Sequence, residues 1–196
     1  MERDLLATKD LLAGIALLSV ALGTAPATSR AAEVRPVLVG GYDAGGATIA
    51  DVPFTSGATD SITANEGVYV GAGVSVLNDD KNIEFLGAAN VKYVGIHASN
   101  GNVEWTRFPV DALVFYRMES FRIGAGVTYV ISPRLKGSGL ASNINASPDN
   151  ALGGLVQADY LLGKVALGLR YTFLEYKTGG STSKSDGVGI SFGFTF

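Results

Sequence analysis

The 196-residue chain contains no cysteine. That absence excludes a disulfide framework, cysteine-based zinc sites and a thiol nucleophile, and it fits an oxidising compartment. Histidine is represented once, by His97. Charged residues make up 17% of the sequence, below the quarter or so of an average soluble domain. With a net charge of -3 and no cluster of Lys or Arg, the chain lacks the basic footprint of a nucleic-acid binder. The N-terminal apolar run from Leu11 to Leu22 is too short to cross a bilayer as a helix.

That run has the length of a secretory h-region and leads into the small residues around Ser29-Arg30-Ala31. Ahead of it, Arg3 and Lys9 are balanced by Glu2, Asp4 and Asp10, which departs from a basic n-region. The expectation is a signal peptide over 1–31, cleaved after Ala31 or one residue later, and a single domain over 32–196.

In place of charge the chain has 26 Gly, 8 Tyr and 9 Phe, and they fall in alternation. In the final stretch Val188, Ile190, Phe192, Phe194 and Phe196 share one side of a strand, and Gly187, Gly189, Ser191, Gly193 and Thr195 take the other. Seven earlier segments repeat the pattern, with apolar faces running from Val34 to Tyr42, Val68 to Val76, Ile83 to Tyr93, Phe108 to Tyr116, Phe121 to Ile131, Val156 to Leu162 and Val165 to Phe173. Polar turns at Asn78 to Lys81, Glu119-Ser120 and Gly163-Lys164 alternate with longer connections. These are a hairpin around Ser56-Gly57, a Ser, Gly and Asn-rich loop from Pro133 to Asn150, and a polar loop from Lys177 to Asp186. Only the link at Asn100-Gly101 is short where a long one is expected.

Eight such strands, short-turned at one end and long-looped at the other, predict an all-β, antiparallel, up-and-down transmembrane β-barrel with the apolar faces outward. A soluble barrel of the same strands would turn roughly five large apolar groups per strand into an interior that eight strands leave too narrow for them.

With its signal segment, eightfold alternation and closing Phe196, the chain resembles the small eight-stranded bacterial outer-membrane barrels of the outer membrane protein beta-barrel domain family. The resemblance covers nearly all of 32–196. It implies location in the outer membrane of a Gram-negative bacterium, contact with its lipid and lipopolysaccharide, and a non-enzymatic structural or surface-interaction role. It also implies that the barrel insertion machinery reads the last strand through Phe192, Phe194 and Phe196, with Ser191 standing where glycine is commonest.

Few residues offer chemistry. Glu84, Lys92, Arg107, Asp111, Arg117, Arg122, Asp159 and Arg170 fall on the inward faces. Buried charges need partners, so these read as an ion-pair network filling the lumen; a narrow conduit for small or apolar solutes is the alternative. Across the turn at Glu119-Ser120, Arg117 faces Arg122, a like-charged pair that needs a shared carboxylate or solvent. Gly40-Gly41 and Gly71-Ala72-Gly73 open no helix and so form no phosphate loop. Asp79 and Asp80 sit in a turn with too few oxygens for a metal. No cofactor and no metal are expected.

The one pointed grouping is His97, Ser99 and Glu104, outward at the long-loop end of the third and fourth strands. A serine, a histidine and an orienting carboxylate facing the outer leaflet could hydrolyse an ester of lipid A. The piece His97-x-Ser99-Asn100 is similar to the motif of lipid A 3-O-deacylases, which are also eight-stranded outer-membrane barrels, although their motif lies near the last hairpin. With Asn100-Gly101 as a two-residue turn, His97 would sit opposite Glu104. A polar membrane rim is the competing reading, and the chain is expected not to be an enzyme.

N-terminal sequencing of the protein isolated from outer membranes should begin at Ala32 or Glu33. Recovery of an uncleaved chain starting at Met1 would remove the segment from the signal class.

Overall fold

A computed structural model describes residues 32–53, 59–98, 101–139 and 141–196. The expected signal segment over 1–31, Ser56-Gly57 and Ser99-Asn100 lie outside the described residues.

Alternating β-branched and aromatic residues become strands throughout. In chain order these are β1 (Glu33–Gly45), β2 (Thr48–Pro53), β3 (Thr59–Thr63), β4 (Gly67–Leu77), β5 (Ile83–Ala98), β6 (Gly101–Arg117), β7 (Phe121–Gly139), β8 (Asn145–Ala146), β9 (Ala151–Leu162), β10 (Val165–Phe173), β11 (Glu175–Thr178), β12 (Ser181–Lys184) and β13 (Gly187–Thr195). Eight of them, β1, β4, β5, β6, β7, β9, β10 and β13, pair antiparallel with their neighbours, and β13 returns to β1 to close the ring. β2 with β3 and β11 with β12 form two-stranded hairpins above it.

The register fixes the shape. Stepping from partner to partner, Glu33, Leu77, Glu84, Phe115, Gly124, Gln157, Arg170 and Gly189 lead back to Asp43, ten residues further along β1 than the start. This stagger tilts the strands by about 35–45° from the axis.

Outside, large apolar side chains stand exposed on all eight strands. Phe85, Tyr116, Phe121 and Tyr160 ring the barrel near the short turns, with Phe121 edge-on to Tyr160 at 4.9 Å. Tyr93, Phe108 and Tyr129 lie eight residues further along the same strands β5, β6 and β7 and, with Tyr42 and Phe173, form a second ring. At roughly 3.3 Å per residue on tilted strands the rings are about 20 Å apart. Two aromatic girdles around an apolar band are the dress of a barrel in lipid.

Two connections differ from the expectation. The segment from Pro133 was expected to be loop, but β7 continues to Gly139 and pairs with β6 as far as Gly101. A bulge at Ser132, with φ of 48°, explains why the pattern was lost. Before it Thr128 and Val130 point inward, and after it Pro133 and Leu135 do, so the alternation changes phase by one residue. Asn150 steadies the bulge by accepting the Ser132 N–H at 2.9 Å. The polar connection from Lys177 to Asp186 contains the β11–β12 hairpin, turned by Gly179 and Gly180, both at positive φ.

Leu169 is 69% exposed near the middle of the band, and Leu162 is 51% exposed at its short-turn edge. Urea unfolding from lipid vesicles should therefore show Leu169→Arg losing about 2–4 kcal/mol and Leu162→Arg about 0–1 kcal/mol. Equal losses at the two depths would refute the assigned band.

Candidate functional site

Inside the ring, four carboxylates (Asp43, Glu84, Asp111, Asp159) and four bases (Lys92, Arg107, Arg122, Arg170) are buried. All but Arg107 fall into two clusters. Near the short turns, Glu84 on β5 takes Arg117 at 2.5 Å and Arg122 at 2.6 Å, and Ser75 donates to it at 2.6 Å. The sequence placed Arg117 opposite Arg122, and they are partners in register; Glu84 is the shared carboxylate that the pair needs. Arg122 reaches on to Asp159 at 2.7 Å and stacks over Phe115 at 4.3 Å. Gln157 and Ser191 complete the shell of Asp159, each at 3.0 Å.

Glycines make room for these groups. A Cβ on Gly168 would strike the Asp159 carboxylate, and one on Gly189 would strike that of Asp43. The small inward face of β13 is thus the complement of charged side chains that lie against it.

Nearer the long loops, Lys92 bonds Asp43 at 2.6 Å and Asn65 at 3.0 Å. Arg170 lies 3.4 Å from Asp111 and 3.7 Å from Asp43, over the ring of Tyr69. Asn90 donates to Asp111 at 3.1 Å. Between these groups the lumen leaves two cavities of about 20 Å³ each, roughly one water apiece. The upper one is bordered by several polar atoms without a protein partner, among them Asp43 Oδ1, Asp111 Oδ1 and Arg170 Nε.

Above the outer aromatic ring the interior turns apolar. Arg107 donates to the carbonyls of Ala64 and Glu66 and lies 5.0 Å from the ring of Trp105, whose Nε1 also donates to Ala64 at 3.1 Å. Around Trp105 gather Ile62, Ile96, Val103, Leu135, Leu174 and Tyr176, all buried. Burial pushes the Tyr176 hydroxyl above its ordinary range, so it stays protonated.

The proposed catalytic grouping is only partly described. His97 and Glu104 are on the outward face as expected, with Nε2 and Oε1 3.9 Å apart and side chains 60% and 45% exposed; Ser99 lies outside the described residues. The expected register is corrected by two residues. Ala98 pairs with Gly101 and His97 with Asn102, so Glu104 stands opposite Gly95 and meets His97 diagonally. With Gly101 paired to Ala98 it is part of β6 and not of the turn, a choice that alternation alone does not decide because either register keeps His97 and Glu104 outward.

All eight inward charges named from the sequence point into the lumen. Missed was Asp43, the partner of Lys92, although alternation from Tyr42 places it inward. Also missed was the apolar cap, although Trp105 and Val103 continue the inward positions of β6.

No protein-family model matches the chain, and no curated protein matches it. Among solved structures, it is similar to Ail, the attachment invasion locus protein of Yersinia pestis, in a crystal with the heparin analogue sucrose octasulfate: 9% identity and a TM-score of 0.54, over 85% of this chain and 100% of that one. Neisserial surface protein A is similar at 11% identity and a TM-score of 0.50, with the same coverage. The likeness is one of fold: the chain is a closed eight-stranded barrel of the bacterial outer-membrane type.

Removing the shared carboxylate should expose how far the lumen depends on it. Glu84→Ala leaves Arg122 buried beside Arg117 and should cost about 3–5 kcal/mol in vesicle unfolding, against about 1 kcal/mol for Ser75→Ala. Equal small losses would mean that solvent, not Glu84, neutralises the pair.

Proposed function

We propose that the protein is a non-enzymatic outer-membrane barrel that holds its long hairpins outside the cell as an interaction surface. One observation carries this reading: the chain builds a second core beyond the membrane. β5, β6 and β7 run on past Tyr93, Phe108 and Tyr129, and with β2, β3 and β11 they enclose Trp105 and Tyr176 in an apolar cluster. In barrels of this kind the long connections face the exterior and the short turns the periplasm. Connections that only had to close the barrel would need neither the length nor the core.

The lumen supports the same reading. Each of its four buried carboxylates is engaged by a base, and the two cavities between them are too small for a solute. The esterase alternative needs Ser99, His97 and Glu104 together, and the separation of 3.9 Å between His97 and Glu104 is longer than a hydrogen bond.

Two measurements test the proposal. Lipid A from cells with and without the protein should have identical acyl chains by mass spectrometry, and the protein in planar bilayers should show no steady conductance. Loss of an ester-linked acyl chain, abolished by His97→Ala and Ser99→Ala, would replace this reading with the esterase. A steady current would replace it with the conduit.

A further inference from the structure

At the upper edge of the apolar band, Tyr93 of β5 does not stand straight out from the wall. A Cβ on Gly95, the next outward position, would lie 2.6 Å from the Tyr93 hydroxyl and 3.0 Å from the His97 ring. The phenol is thus laid up the strand over bare glycine backbone, the way an aromatic ring covers a glycine in a sheet. At 39% exposed it keeps a ring face open to the outside.

Carboxylates stand on both sides of that ring. Glu104 on β6 is the register partner of Gly95, directly beside the tilted phenol. On the other side Val68 of β4 pairs with Tyr93, and Glu66 precedes β4 toward the long loops. Its carboxylate is held in place, accepting from the Tyr42 hydroxyl at 3.2 Å and from the Thr63 N–H at 3.1 Å. Among the described residues neither carboxylate forms an ion pair with Lys or Arg: Glu104 has His97 at 3.9 Å, and Lys136, opposite it on β7, makes no ion pair with it. Immediately below, Val68, Val70 and Val91 are exposed on the lipid-facing wall. The groups that meet Tyr93 from outside are therefore the heads of the lipids whose chains cover these valines.

We infer that Tyr93, Glu66 and Glu104 form a docking site for an ammonium-bearing lipid headgroup, which lays its cation on the face of Tyr93 between the two carboxylates. Two features select that chemistry independently. An exposed phenol face attracts an organic ammonium group, and two carboxylates without a paired Lys or Arg attract a cation and repel an anionic head. A divalent metal is a poorer fit, because it requires about six or more oxygen ligands and here an aromatic face separates the two carboxylates. Continuity with the apolar band makes the occupant a lipid. The inference goes beyond the interaction-surface reading, since it concerns the wall at the membrane surface and not the hairpins above it.

The folded protein in detergent micelles would be titrated with phosphatidylethanolamine and, separately, with phosphatidylglycerol of the same acyl chains, and bound lipid counted by native mass spectrometry. The first ethanolamine lipid should bind about threefold to fivefold more tightly than the first glycerol lipid. Joint substitution of Glu66→Gln and Glu104→Gln should erase that preference, and so should Tyr93→Leu alone. Tyr93→Phe, which keeps the ring, should retain it. Glu175→Gln removes the same charge from an exposed position on β11 and should leave the preference unchanged. Heat-modifiable migration on a gel confirms that each variant is folded. Equal binding of the two lipids by the unsubstituted protein would overturn the inference. An equal fall in Glu175→Gln would do so as well, because it would assign the preference to overall charge, and a preference abolished by added calcium would give the carboxylates to a metal instead. None of these results touches the reading as a non-enzymatic barrel, which falls on lipid A or conductance.

Discussion

The carboxylate of Glu84 lies between two guanidinium groups, those of Arg117 and Arg122, inside a ring of eight strands. That arrangement follows from a constraint on the whole molecule. Strand side chains alternate, so a wall that shows hydrocarbon to lipid on one face must carry its polar residues on the other. Eight strands enclose a space that side chains just fill. Water therefore cannot dilute the inward charges, and they must neutralise one another in place. Glu84 does so for two cationic groups that the turn at Glu119-Ser120 forces together, and Asp159 takes the second hydrogen-bonding edge of Arg122.

The wall itself is fitted to these charges. Gly168 and Gly189 stand where any side chain would meet the carboxylates of Asp159 and Asp43, and Ser191 adds a hydroxyl to Asp159. On the other face of β13, Val188, Ile190 and Phe192 are exposed to the hydrocarbon side. A single strand thus satisfies lipid outward and ion pairs inward, and the sequence shows both as one alternation of bulky and small residues. The stagger of ten residues ties the two faces together. It carries the line of partners from Glu33, at the short-turn end, up to Asp43 beside Lys92.

This regularity is why the barrel was legible in the sequence. Each apolar face identified from alternation is an outward face, and each inward charge named from it is in the lumen. Legibility failed where the period broke or the register was unconstrained. At Ser132 one extra residue shifts the phase, and the rest of β7 then resembles the loop that its Ser, Gly and Lys content implied. At the β5–β6 turn, moving the turn by one residue left His97 and Glu104 outward in both cases, so the sequence could not choose their partners. Asp43 followed the rule but was overlooked beside the apolar face of β1.

The apolar cap was hidden for a different reason. Its members come from β2, β3, β5, β6, β7, β9 and β11, and no one of those segments carries a run that announces a core. Ile62 lies in a short, polar strand, and Tyr176 is the only large apolar residue of β11. Their burial arises because the strands of a closed, tilted barrel continue upward on a common ring and bring their inward positions together above the membrane. There the demands on the interior reverse. Below the outer aromatic ring the lumen is packed with charges because the outside is apolar. Above it the outer face meets water, so the inward positions can be apolar, and Arg107 marks the boundary by stacking on Trp105 while bonding backbone carbonyls. A barrel that changes from an ionic to an apolar core at that level carries a second, separately packed structure above its membrane band.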